Sequence, residues 1–218
     1  MIALTGRDLT LTDVRRVAEG DDLFVELDPG AAEAVERARS FIQKSVEMGD
    51  PIYGVTTGFG RMAEVVISED ERALLQQNLV RSHASGVGRP LDRRAVRAVM
   101  LLRANALARG HSGCRRLVVE RLLDLLNAGV HPVVPEVGSV GASGDLAPLA
   151  HIALVLTGEG EVLVDGVRRP AAGVLAARGV APLVLEAKEG LALINGTQAT
   201  TGLGILTLLA AEEALEAA

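Results

Sequence analysis

The sequence contains a single cysteine, Cys114, which excludes an internal disulfide framework, and it nowhere places Cys and His at the spacing of a structural zinc site. No metal is expected. Basic residues are in the minority, 22 Lys and Arg against 28 Asp and Glu, for a net charge of −6 and a pI near 5.3. That balance leaves no basic surface to attract nucleic acid, and no Lys/Arg-rich run marks a helix lying on a membrane. The opening Met1-Ile-Ala-Leu-Thr-Gly-Arg7 lacks the basic segment and apolar core of a secretory signal. These absences point to a cytoplasmic protein with neither nucleic acid nor membrane as partner. Tryptophan is also missing, phenylalanine occurs three times and tyrosine once, at Tyr53, so the near-ultraviolet spectrum is almost bare.

Aliphatic residues and glycine are abundant. Hydrophobic residues make up 49% of 218 before 24 glycines are added, and mean hydropathy is +0.30. This exceeds a typical soluble monomer, and a large subunit interface would absorb the excess. Residues 190–211 carry no charge and are long enough to span a bilayer. They also contain Asn195, Thr197, Gln198, Thr200, Thr201 and four glycines without a basic flank, which fits a buried segment of a soluble protein.

The first fifty residues read as a small mixed unit. Thr12 is placed to cap a helix ending at Gly20, residues 23–27 alternate like a strand, and Asp28-Pro29 opens a helix to about Glu47. Three glycines and a proline make residues 51–60 a loop, and Tyr53 within it is either a general acid or base or an aromatic anchor. Ser68 and Glu71 form a capping-box pattern for a helix ending near His83, which either caps or packs there or binds a polar ring. Helices opened by Asp92 and by Ser112 form a hairpin, with Arg103, Asn105 and Arg109 facing either a polar pocket or, the favoured reading, solvent, and with Cys114, His111 and His131 structural. A helix over 146–157 carries His151 as a core residue, and residues 161–168 form a hairpin whose Asp165-Gly166 suits a type I′ turn on a surface flap. Asn195, in an apolar neighbourhood, needs partners for both ends of its amide, so it ties loops together or points at a ligand. The last helix, over 203–218, shows no terminating residue, and the chain is expected to stop in mid-helix.

One stretch carries possible chemistry: Val137-Gly-Ser-Val-Gly-Ala-Ser-Gly-Asp-Leu-Ala-Pro148. In a tight enough bend, the backbone nitrogen of Gly144 reaches the carbonyl carbon of Ala142, since glycine has no Cβ to block the approach. The hydroxyl of Ser143 can leave as water. Loss of that water and of the water from the cyclised carbonyl would leave a conjugated exocyclic alkene, an electrophile that no standard side chain supplies. The same residues equally describe a plain turn, with Asp145 capping the helix that starts at Leu146 and Pro148 in its first turn.

Taken together, the blocks Tyr53-Gly-Val-Thr-Thr-Gly-Phe-Gly60, Asn78-Leu-Val-Arg-Ser-His83, Arg103-Ala-Asn-Ala-Leu107, Gly138-Ser-Val-Gly-Ala-Ser-Gly-Asp-Leu-Ala-Pro-Leu-Ala150 and Lys188-Glu-Gly-Leu-Ala-Leu-Ile-Asn-Gly-Thr-Gln198 resemble the aromatic amino acid ammonia-lyases, most closely those acting on histidine. The resemblance covers nearly the whole chain. It implies a mainly α fold of the ammonia-lyase and fumarase-aspartase type, with a small mixed α/β N-terminal unit and a short hairpin, ending before the long central helical bundle. It implies that Ala142-Ser143-Gly144 cyclise unaided into 4-methylideneimidazole-5-one (MIO), with Asp145 and Gly60 supporting the loop and helix. Tyr53 would then take a proton from the substrate's β-carbon, Asn195 would contact MIO or substrate, and His83 would hold the substrate ring. The implied reaction gives urocanate and ammonia from L-histidine. Ser82-His83 favours histidine over tyrosine or phenylalanine, and lyases and aminomutases for those residues are the near rivals. The family also implies a homotetramer whose other subunits complete the site, so residues 1–218 alone are expected to have little or no activity. A non-catalytic chain with an uncyclised loop, or one binding anions at a helix N-terminus, is the alternative of another class.

Overall fold

The computed structural model describes residues 1–20, 23–139 and 143–218. Ala142, the first residue of the expected ring, lies outside the described residues.

The mixed N-terminal unit forms as expected from β1 (Ile2–Leu4), α1 (Leu11–Glu19), β2 (Val25–Leu27) and α2 (Pro29–Met48), with β1 and β2 parallel and Leu4 opposite Leu27. Thr10, not Thr12, caps α1. Asp13 stands three residues after Thr10 and closes a reciprocal capping box, Thr10 Oγ1 accepting from Asp13 N and Asp13 Oδ2 from Thr10 N, both at 3.2 Å. Asp28 caps α2 through Ala31 N at 3.0 Å, and Gly49 ends it in the left-handed conformation.

After the loop, α3 (Glu69–His83) leads through β3 (Val87–Pro90) into the antiparallel pair α4 (Arg93–Ala108) and α5 (Arg116–Asn127). Helix α4 lies at the centre, packed by α1, α5 and α9, and Val99, Met100, Leu101 and Leu107 on it are buried. Such burial is worth roughly 1.5–3 kcal/mol per large side chain. Arg97, 1% exposed, binds this core to neighbouring chain ends: Nε donates to Val17 O and Nη2 to Gly20 O, each at 2.7 Å, and Nη1 to Leu126 O at 3.2 Å.

Helix α5 begins four residues later than Ser112 suggests. Gly113 turns at φ +70°, where a Cβ would stand 2.4 Å from Ile42 Cγ1, and the chain straightens only after that turn. Two short strands, β4 (His131–Pro132) and β5 (Pro135–Val137), precede α6 (Leu146–Leu156). The β3–β5 pairing, Val87 opposite Val137 and Pro90 opposite Pro135, was hidden by proline at its ends. The hairpin β6 (Glu161–Val164) and β7 (Val167–Pro170) turns on Asp165 and Gly166, both at positive φ, as a type I′ turn requires. It is not a free flap, because β6 also pairs with β4 and buries Val162.

The chain closes with α7 (Ala171–Ala177), α8 (Glu189–Ile194) and α9 (Gln198–Glu216). Helix α9 starts five residues before Leu203 and buries Ala199 and Gly202 while leaving Leu203, Leu208 and Leu215 exposed. The uncharged segment is therefore buried through α8 and only partly beyond it. Among the described residues no helix is long and apolar enough to cross a membrane.

Candidate functional site

Helix α8 has six residues, too few to hold its own shape in water. Three polar side chains from distant elements, Arg115, Gln76 and Arg103, hold it. Glu189, fully buried, takes Arg115 Nε at 2.8 Å and Arg115 Nη2 at 2.7 Å, along with the backbone N–H of Arg115 and of Glu186. The Arg115 N–H is the first orphan donor of α5, so Glu189 caps a helix far away in sequence. Gln76, also fully buried, accepts Gly190 N at 2.9 Å and Leu191 N at 3.3 Å. Arg103, from the middle of α4, donates to Ala192 O, to Asn195 O at 3.1 Å and to Gln198 Oε1 at 2.7 Å. A solvated face for Arg103 is thus wrong: the residue is 4% exposed, and burial pushes its guanidinium down to about 10, still cationic at neutral pH.

The turn after α8 meets the organising loop. Asp145 N donates to Gly196 O at 2.6 Å. Gly144, at φ +100°, is packed so tightly on that oxygen that a Cβ would stand 2.5 Å from it. Only glycine fits this backbone and this space. Ser143 beside it is exposed. Asp145 sits at the first position before α6 but makes no capping bond to that helix. Its buried carboxylate instead receives Thr200 N and Thr200 Oγ1, each at 2.7 Å, and Ser139 Oγ at 2.8 Å. It therefore caps α9, which has no local side-chain cap, and this explains the early start of that helix. The positive ends of α6 and α9 both come to this carboxylate and the loop it holds.

Asn195 is not the buried amide that was expected. It is exposed, and its backbone carbonyl rather than a buried amide carries the tie to Arg103. A polar residue in an apolar stretch was read as buried, whereas the turn at the end of α8 brings it to the surface beside Gly196.

Tyr53 is 53% exposed, with its ring edge-on to Phe59 at 6.0 Å between centroids. Its hydroxyl oxygen accepts Gly60 N at 3.3 Å, which gives Gly60 a function as donor. The loop rests on α8: a Cβ at Gly54 would stand 2.7 Å from Phe59 and 3.0 Å from Leu191. His83 ends α3, half-buried, with Nδ1 2.8 Å from Leu79 O and 3.0 Å from Ser82 Oγ. A carbonyl can only accept, so Nδ1 carries the proton and Nε2 is left as the acceptor of the neutral ring. The β3–β5 pairing brings this end of α3 beside the organising loop, where a Cβ at Gly138 would stand 3.1 Å from Gly86 Cα. His151, read as a core residue, is half-buried and accepts Gly86 N at 3.1 Å; burial lowers its affinity for a proton.

Gly144 and Asp145 are thus brought directly onto Gly196, the neighbour of Asn195, while the Tyr53 loop and the His83 end of α3 reach the same region through α8 and Gly86. Arg103, Gln76 and Glu189 went unrecognised as supports. Their sequence signal was faint: single polar residues within apolar helices.

These features of fold and site define a class, and the chain belongs to the aromatic amino acid lyase family, whose model matches residues 9–218. Among curated relatives, histidine ammonia-lyase of Geobacillus sp. strain WCH70 is 53% identical over 213 residues, and that of Burkholderia mallei is 51% identical. Both alignments cover 98% of this chain and 42% of the relative, so the chain spans under half the length of the curated relatives it matches. Solved structures agree. Tyrosine aminomutase from Streptomyces globisporus superposes with a TM-score of 0.88 at 46% identity, over 94% of this chain and 38% of that one. Histidine ammonia-lyase from Trypanosoma cruzi gives 0.89 at 38% identity, over 95% and 40%. The expected mainly helical ammonia-lyase architecture is the one found.

Proposed function

We propose that this chain bears the electrophile-forming segment of an enzyme that eliminates ammonia from L-histidine to give urocanate. The observation carrying the reading is Gly144, fixed at φ +100° against Gly196 O in a place where a Cβ cannot stand. A group made by closing the Gly144 nitrogen onto residue 142 fits such a site, because Gly144 is bent at positive φ without a Cβ and Ser143 is exposed. Such an MIO group would supply an electron sink that lets a poor leaving group, ammonia, depart.

The side chains would divide the remaining work. Tyr53, as its phenolate, would take the proton from the substrate's β-carbon, with Gly60 N–H stabilising the charge that the oxygen carries before the transfer. The imidazole Nε2 of His83 would accept a hydrogen bond from the substrate ring. Asn195 would orient substrate from the exposed turn beside Gly144. The N-terminal ends of α6 and α9 would favour negative charge building at the loop. The exposed apolar face of α9, with Leu203, Leu208 and Leu215, would be covered in a homotetramer, and the isolated chain is expected to have little activity.

Intact mass tests the electrophile. A deficit of two waters confined to a peptide containing Ser143, with a new near-ultraviolet band, is expected; an unshifted mass refutes ring formation in this chain. The 46% identity to a tyrosine aminomutase keeps a second reading in view, an enzyme for tyrosine or phenylalanine using the same group. Urocanate formation by a complete enzyme carrying this segment, against coumarate or cinnamate, separates the two.

A further inference from the structure

We propose that Arg103 is a positioning residue for ring closure, holding the Asn195–Gly196 turn against Gly144 and Asp145 and so keeping Gly144 in the bend that closure requires. The inference rests on the reading that these residues cyclise.

The support is layered. A buried guanidinium is costly unless its donors are met, and Arg103 has no carboxylate partner among the described residues. Its planar fork instead reaches Ala192 O, Asn195 O and Gln198 Oε1 together, at the end of α8 where carbonyls lack helical partners. Gly196 lies directly on it: a Cβ there would stand 2.2 Å from Arg103 Nη1 and 2.1 Å from Gln198 Oε1. On the far side of Gly196, its carbonyl oxygen accepts Asp145 N at 2.6 Å and abuts Gly144. Arg103, Gly196 and Gly144 thus form a stack in which the first sets the height of the last.

Closure forms one bond, from Gly144 N to the carbonyl carbon of Ala142. The Ala142 oxygen leaves as water with the amide hydrogens of Gly144 and Ser143, and the Ser143 hydroxyl leaves as a second water with its own Cα hydrogen. No side chain supplies a reagent, so geometry controls the rate, and a displacement of about 1 Å costs on the order of a hundredfold in such reactions.

The test compares the chain with Arg103→Met and Arg103→Lys. Purified after equal times, folded Arg103→Met is expected to show a several-fold smaller fraction of molecules lacking two waters, and Arg103→Lys an intermediate one. A merely structural role would lower the melting temperature while leaving the deficit of the folded protein intact. Folded Arg103→Met with the full deficit overturns the proposal. If the unmodified chain shows no deficit, the cyclisation reading itself fails, and hydrogen exchange at the Asp145 amide then decides whether Arg103 positions the turn. Exchange about tenfold faster in Arg103→Met, with α5 still protected, upholds positioning; unchanged exchange refutes it.

Discussion

Replacing Asp145 with alanine tests whether one carboxylate joins the organising loop to the last helix. The side chain is 1% exposed and accepts three hydrogen bonds, from Thr200 N, Thr200 Oγ1 and Ser139 Oγ. A buried donor left without an acceptor costs about 1–3 kcal/mol. The two hydroxyls can rotate toward other partners, but the Thr200 N–H is fixed by the first turn of α9 and bears the full penalty. Removing a carboxylate from that helix end adds about 0.5–1 kcal/mol. Asp145→Ala should therefore cost roughly 1.5–4 kcal/mol, lowering the thermal midpoint by roughly 3–16 °C in a chain of this size. Asp145→Asn retains one oxygen for the Thr200 N–H and should lose about half as much. Thermal unfolding by far-ultraviolet circular dichroism measures the shift, and hydrogen exchange locates it in the first turn of α9. A midpoint within about 1 °C of the parent, with Thr200 still protected, would show that α9 does not depend on Asp145.

Other outcomes follow from buried groups. Glu189→Ala takes the buried acceptor away from Arg115 Nε and from the N–H groups of Arg115 and Glu186, leaving the Arg115 guanidinium only Glu186 and Val184 O, and should destabilise by about 3–5 kcal/mol in urea titration; a loss under 1 kcal/mol contradicts its role in holding α8. Burial pushes the Cys114 thiol up to about 12, so a disulfide reagent at pH 8 should label it only after denaturation, and rapid labelling of folded protein would disprove the buried placement. Burial holds the His151 imidazole below its ordinary value, so its contribution is intact above the unfolded pKa of about 6.5 and is lost as pH falls through the folded value. His151→Gln should match the parent at pH 8 and lose less stability on acidification; parallel curves down to pH 5 would rule this out.

Helices with local caps were legible in the sequence almost to the residue. Asp28-Pro29 and Gly49 mark both ends of α2, and Asp92 opens α4 through Ala95 N at 2.7 Å. The misplaced starts were of a different kind. Thr12 lost to Thr10 because only Thr10 has an acidic partner three residues on, while α5 and α9 take caps from Glu189 and Asp145, which no local pattern reveals. For the site, residue type pointed to the segments, but burial did not follow from type. Arg103 looked solvated and is buried, and Asn195 looked buried and is exposed, because a short helix turned over at Gly196 exchanges the two. The short strands escaped because proline stands at the ends of their pairing.

The distant caps have a consequence for the order of events during synthesis. Asp145 and Thr200 are 55 residues apart, and Gln76 and Gly190 are 114 apart, so the loop and its clamp emerge from the ribosome at different times. At about 5–20 residues per second, Gly144 is made several seconds before the backbone it rests on. Until Gly196 arrives, nothing presses Gly144 into its bend. On the cyclisation proposed above, ring closure at Gly144 would therefore wait until the α8 turn has been made.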